Sequence, residues 1–194
     1  MKKSTGTSLF ASLALASVTA AQQGGWLIES SNIVSPSQPT ATIEVWAWFD
    51  DPTRVRNTFG LGDFDFLAGD GAFSNLQSRL FRFSLGTAVG SGVVGVRVGQ
   101  IWGFAGITAS SQNPILAWSA QWTTTDFTPR AVSLDTLNTT TFNIGINSTH
   151  SGMRLLELYP EGFIPGTGMI EVVPSPASAV PLVVVGAVML RRRR

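Results

Sequence analysis

Between residues 41 and 49 the chain alternates strictly. Ile43, Val45, Ala47 and Phe49 share one face, and Thr42, Glu44, Trp46 and Trp48 share the other. A repeat of two is the signature of a half-buried β-strand, since successive side chains leave opposite faces of the pleat. The same period recurs downstream. "RLFRFSL" sets Phe81, Phe83 and Leu85 against Arg82 and Ser84, and "VVGVRV" sets Val94, Val96 and Val98 against Arg97. "ILAWSAQW" aligns Leu116, Trp118, Ala120 and Trp122, and "TFNIGI" aligns Phe142, Ile144 and Ile146. Turn-forming clusters separate these runs: "SPSQP", "AGDG", "GSG", "NSTHSG", "PEG" and "PGTG".

The pattern predicts strands near 26–32, 41–49, 62–68, 79–86, 93–101, 115–123, 130–134, 140–146, 153–159 and 169–173. No helical spacing is sustained between the two ends. Many short strands joined by Gly- and Ser-rich turns imply a mainly β domain, an antiparallel β-sandwich or jelly roll.

The two ends break this rhythm. Residues 1–21 have Lys2 and Lys3 at the start, an apolar middle from Leu9 to Val18, and a small-residue cleavage site at Val18-Thr19-Ala20 or Thr19-Ala20-Ala21. That order is that of a secretory signal peptide, removed by signal peptidase. At the other end the 14 residues from Ala177 to Leu190 are apolar or small apart from Ser178, and Arg191 to Arg194 follow. As a helix the segment covers about 21 Å at ~1.5 Å per residue, short of the ~30 Å hydrocarbon core. Snorkelling arginines and local thinning let such a transmembrane helix span, and the positive-inside rule keeps the arginines cytoplasmic. Residues 22–173 are then expected outside the cytoplasm, transiently anchored at their C-terminal end.

The C-terminal order of proline motif (Pro174, Ser175, Pro176), apolar helix 177–190 and basic cluster (Arg191, Arg192, Arg193, Arg194) resembles the PEP-CTERM sorting signal of bacterial exported proteins. Serine stands where that family has glutamate. The resemblance implies recognition and trimming of the 174–194 tail by an exosortase-type membrane protease, and a cell-surface, outer-envelope or matrix destination. The segments "SPSQPTATIEVWAWFD", "GDGAFSNL" and "WTTTDFTPRAVSLDT" resemble uncharacterised β-rich ectodomains of such proteins. "VSPSQPTATIEV" is more loosely similar to the entry strand of cohesin-like sandwiches.

Composition alters the picture in two ways. The formal charge of +1 hides an acidic middle: residues 22–173 hold seven arginines and all 12 carboxylates. A domain near −5 without lysine has no electrostatic footprint for nucleic acid. Cysteine is absent, so disulfides and thiol, zinc–cysteine and iron–sulfur chemistry are excluded. The domain must be held by its core, for which six Trp and 11 of the chain's 12 Phe provide material. No cofactor is expected.

Candidate chemistry is sparse. His150, the sole histidine, falls in the turn "NSTHSG", and no G-x-S-x-G accompanies it, so it is expected to be solvated rather than catalytic. Asp63 and Asp65 alternate on one strand face and Asp70 follows in "AGDG"; these are the calcium candidates, although no D-x-D-x-D-G loop is present. The sequons at Asn138 and Asn147 are expected to be coincidental, since the resemblance implies a bacterial protein. Trp46 and Trp48 are the ligand-binding candidates: rings on a sheet face beside Glu44 and Asp50 stack on sugars, whereas the bland alternative makes them core residues of a strand covered on both sides. The sequence therefore points to an exported, non-enzymatic surface or matrix β-sandwich. The alternatives are a carbohydrate-binding or cohesin-like adhesion module engaging a surface polysaccharide, and a small secreted hydrolase.

Overall fold

The computed structural model describes residues 23–31, 33–50, 58–99, 113–146 and 154–174. They form 13 strands: β1 (Gln23–Ser30), β2 (Ile33–Val34), β3 (Thr40–Asp50), β4 (Thr58–Ala68), β5 (Ala72–Gln77), β6 (Phe81–Val89), β7 (Gly92–Gly99), β8 (Ile115–Thr123), β9 (Arg130–Leu137), β10 (Phe142–Ile146), β11 (Arg154–Glu157), β12 (Phe163–Ile164) and β13 (Thr167–Val172). Two mixed, mostly antiparallel sheets pack as a sandwich. The first runs β12-β1-β3-β8-β5. The second runs β11-β10-β4-β9-β13-β2, with β7 on the remaining edge of β4 and β6 outside β7. The expected antiparallel pairing holds for most of both sheets; β12 on β1 and β2 on β13 are parallel.

The core lies where the inward faces meet. Ile43, Val45 and Ala47 are fully buried from β3, as the alternation requires, against Phe59, Phe64 and Phe66 of β4 and Phe142 and Ile144 of β10. Each such Ile, Val or Phe side chain contributes roughly 1.5–3 kcal/mol by leaving water. Trp26 is the hub. Its ring meets Phe64 and Phe142 edge-on at centroid distances of 4.8 and 4.9 Å and Phe59 at 5.7 Å, the arrangement aromatic quadrupoles favour. Its Nε1 donates to Thr139 Oγ1 at 3.4 Å. The ring lies on β4 only because residue 62 is glycine: a Cβ there would stand 2.5 Å from Trp26 Cζ2. Trp118 and Trp122, also buried, donate to the carbonyls of Leu85 and Asp70.

Where the structure departs from strict alternation, bulges are the cause. Val94 was expected beside Val96 and Val98 but is exposed, and Val93 takes its place in the core. Gly95, at φ 73°, inserts an extra residue opposite Asp65, the geometry of a glycine bulge. A second irregularity between Arg82 and Ser84 turns Phe83 outward, with 53% of its surface exposed. A third, opposite Val45 and Trp46, moves Leu116 away from Trp118 and pairs it with Trp46. β5 was not expected: only Phe73 of "AFSNLQ" is buried, so its period is too weak to read.

Candidate functional site

β1 is paired with β3 along its whole length, and this register builds the outer face of the five-stranded sheet. Trp48 lies opposite Gly25, Trp46 opposite Leu27, and Glu44 opposite Glu29. On its other side Trp46 pairs with Leu116. The sequence candidates Trp46 and Trp48 are therefore outward-facing and half-buried, while their neighbours Val45, Ala47 and Phe49 fill the core. Trp46 Nε1 is shielded from solvent without a hydrogen-bond partner among the described residues. Beyond the rings, Glu29, Ser30, Ser31, Thr42 and Glu44 line an open pocket of about 240 Å³. Two of these hydroxyls are engaged: Ser30 Oγ donates to the Met169 carbonyl at 3.0 Å and Ser31 Oγ accepts from the Thr42 amide at 3.0 Å. The face thus combines two indoles, an aliphatic side chain on either flank of Trp46, and a carboxylate pair.

Glu29 and Glu44 carry an electrostatic cost. Like charges directly opposite across an antiparallel pair repel, and the strands β12, β1, β3, β8 and β5 contain Glu29, Glu44 and Asp50 but no basic residue. Sequence reasoning missed Leu27, Glu29 and Leu116 as members of this face. Their membership depends on strand register, which alternation within one strand does not encode.

The calcium candidates are distributed differently. Asp63 Oδ1 accepts the amides of Thr140 and Thr141 at 2.7 and 2.9 Å, and Oδ2 accepts the Thr140 hydroxyl at 2.6 Å. This carboxylate caps the junction where β9 ends and β10 begins along the same edge of β4. Asp65 accepts the bulged Gly95 amide at 2.7 Å and Asn138 Nδ2 at 2.8 Å. Asp70 is bound instead to Arg130 Nε at 2.6 Å. No group of three or more His, Asp or Glu able to hold a metal ion occurs among the described residues.

Arg130 organises the turn before β9. It also donates to the Asp126 and Thr128 carbonyls, both at 2.9 Å, and to Thr124 Oγ1 at 3.2 Å. Its hydrogen bond to Asp70 holds the guanidinium pKa above its ordinary value. The Thr128 amide, and then its hydroxyl, hold the Asp126 carboxyl below the usual carboxylate value. This arrangement staples the loop between β8 and β9.

Residues 1–22, His150, the Asn147 sequon, Ser175, Pro176 and the 177–194 tail with its four arginines lie outside the described residues, so the expected leader and the resemblance to a sorting signal rest on the sequence alone. Among the described residues no helix is long and apolar enough to cross a membrane. No family model matches the chain, and no curated protein matches it.

Proposed function

We propose that this chain is an exported, non-enzymatic β-sandwich protein of the cell surface or extracellular matrix, sorted by its C-terminal signal. The observation that carries it is the order of proline motif, undersized apolar helix and arginine cluster from Pro174 to Arg194, combined with a secretory leader. Engagement of the Asp63, Asp65 and Asp70 carboxylates by Thr140, Gly95 and Arg130 supports a structural role for those acids.

Mechanistically, the arginines supply the stop that the short helix lacks. Each costs ~2.5–3.5 kcal/mol at the bilayer centre, so four together cost on the order of 10 kcal/mol even with non-additivity. They hold the proline motif at the outer interface, where a sorting protease reaches it. Cell fractionation tests this. Replacing Arg191 to Arg194 with serine should release untrimmed protein outside the cell, and normal membrane retention and trimming of that variant would refute the mechanism.

A second reading, carbohydrate binding, is favoured by one observation: Trp46 and Trp48 face outward beside Glu44 and its pocket. It expects glycan-array binding that Trp46→Ala abolishes; binding unchanged in that variant would remove the indole face as the sugar site.

A further inference from the structure

The folded sheet runs almost to the proline motif. β13 ends at Val172, and Pro174 opens the motif two positions later. That end of β13 is held on both edges. Val172 lies opposite Arg130 of β9 and Val34 of β2, and Glu171 lies opposite Ala131 and Ile33. The Val173 amide continues the ladder by donating to the Val34 carbonyl at 2.8 Å. Val34, Ile170 and Val172 are buried, so side chains anchor this corner as well. Only residues 173–176 separate Val172 from the apolar segment that starts at Ala177. Fully extended, four residues reach about 14 Å at ~3.5 Å each. A small domain is ~30 Å across, so a protease does not fit between the docked sandwich and the bilayer.

We propose that Glu171 to Val173 must leave the sheet before the tail is trimmed, so that the β2–β13 corner sets the rate of sorting. This inference rests on the sorting reading above and adds a conformational step to it. An extended peptide is recognised through its main chain, which pairs with the receptor as an added strand. In the folded domain the main chain of Glu171 and Val172 already pairs with β9 on one side and β2 on the other. A protease that grips the chain just before the motif therefore competes with the sheet. The corner is suited to local opening. β2 has two residues and, among the described residues, pairs only with β13. Two residue pairs on each edge and the Val173 hydrogen bond are all that opening has to break. Strand ends of this kind open at well below the cost of global unfolding, and cleavage then follows the population of the open form. The tail stays on while the end of β13 is docked, and its loss is timed by that local opening.

A reversible lock tests this. Ile33 and Glu171 lie directly opposite with exposed side chains, and the chain has no cysteine. Ile33→Cys/Glu171→Cys therefore places one disulfide across the corner, at a strand spacing that disulfides accept. The full chain is expressed in its native host, and loss of the tail is followed over time by intact mass. The oxidised lock should be trimmed at least ten-fold more slowly than wild type, and added reductant should restore the wild-type rate. Ile33→Ser/Glu171→Ser should be trimmed no more slowly than wild type. Eight Gly and Ser residues inserted between Val173 and Pro174 should restore trimming of the oxidised lock, because the motif then no longer depends on β13. Three results would each overturn the inference and leave the sorting reading standing: an intact lock trimmed at the wild-type rate, a serine control that escapes trimming, or a spacer that fails to rescue the lock. A wild type that keeps Arg194 overturns the sorting reading, and the inference falls with it.

Discussion

Gly62→Ala probes the hub of the core with a single methyl group. The added Cβ would stand 2.5 and 2.6 Å from Cζ2 and Cη2 of Trp26 and 3.2 Å from Phe59 Cζ. The indole has little room to retreat, since Phe64 and Phe142 meet it at 4.8 and 4.9 Å and Thr139 accepts from its Nε1. Overpacking of this kind costs ~1–3 kcal/mol. Restricting the unfolded chain by replacing glycine offsets ~0.4–1 kcal/mol of that. The net loss is then about 1–2 kcal/mol, or a Tm lower by roughly 2–8 °C for a domain of this size. Thermal melting followed by tryptophan fluorescence measures it. Trp26→Phe in the same chain shortens the ring, so the double variant should be less destabilised than the sum of the singles, with a coupling of about 0.5 kcal/mol or more. A Gly62→Ala variant that melts at or above wild type, or strict additivity with Trp26→Phe, would show that the indole does not rest on residue 62.

Two further outcomes are expected. Asp63→Ala should lower stability by about 1–3 kcal/mol in denaturant titration, because it strips acceptors from the Thr140 and Thr141 amides and the Thr140 hydroxyl, and EDTA should not change wild-type melting; a calcium-dependent Tm would reassign that carboxylate. Acid should loosen the 124–130 turn: the folded Asp126 carboxyl is depressed below its ordinary 3.8 by Thr128, so its contribution is present above that pH and lost as pH falls through the lower folded value, and Asp126→Asn should flatten this part of the acid-unfolding profile.

The legible part of the fold is the part whose physics is local. β3 follows directly from the alternation of Ile43, Val45, Ala47 and Phe49, and that alternation alone sends Trp46 and Trp48 outward. β8 falls on the expected 115–123, although its bulge reassigns Leu116. What eluded the pattern depends on distant partners. The Gly95 bulge is pinned by Asp65, 30 positions away, and the β9–β10 junction by Asp63, 77 positions from Thr140. The two-residue strands β2 and β12 exist only as parallel additions to β13 and β1, with too little length for a period. Likewise the pairing of Glu29 with Glu44 is a property of register, which neither strand reveals alone.

Export followed by C-terminal sorting is the central claim, and intact-mass analysis of the protein recovered from its native host tests it most directly. Leader removal near residue 21 and trimming of the tail near Pro174 to Pro176 predict a mature species with neither terminus as encoded. A mature protein that still carries Arg194 would contradict the sorting reading and leave a plain membrane anchor.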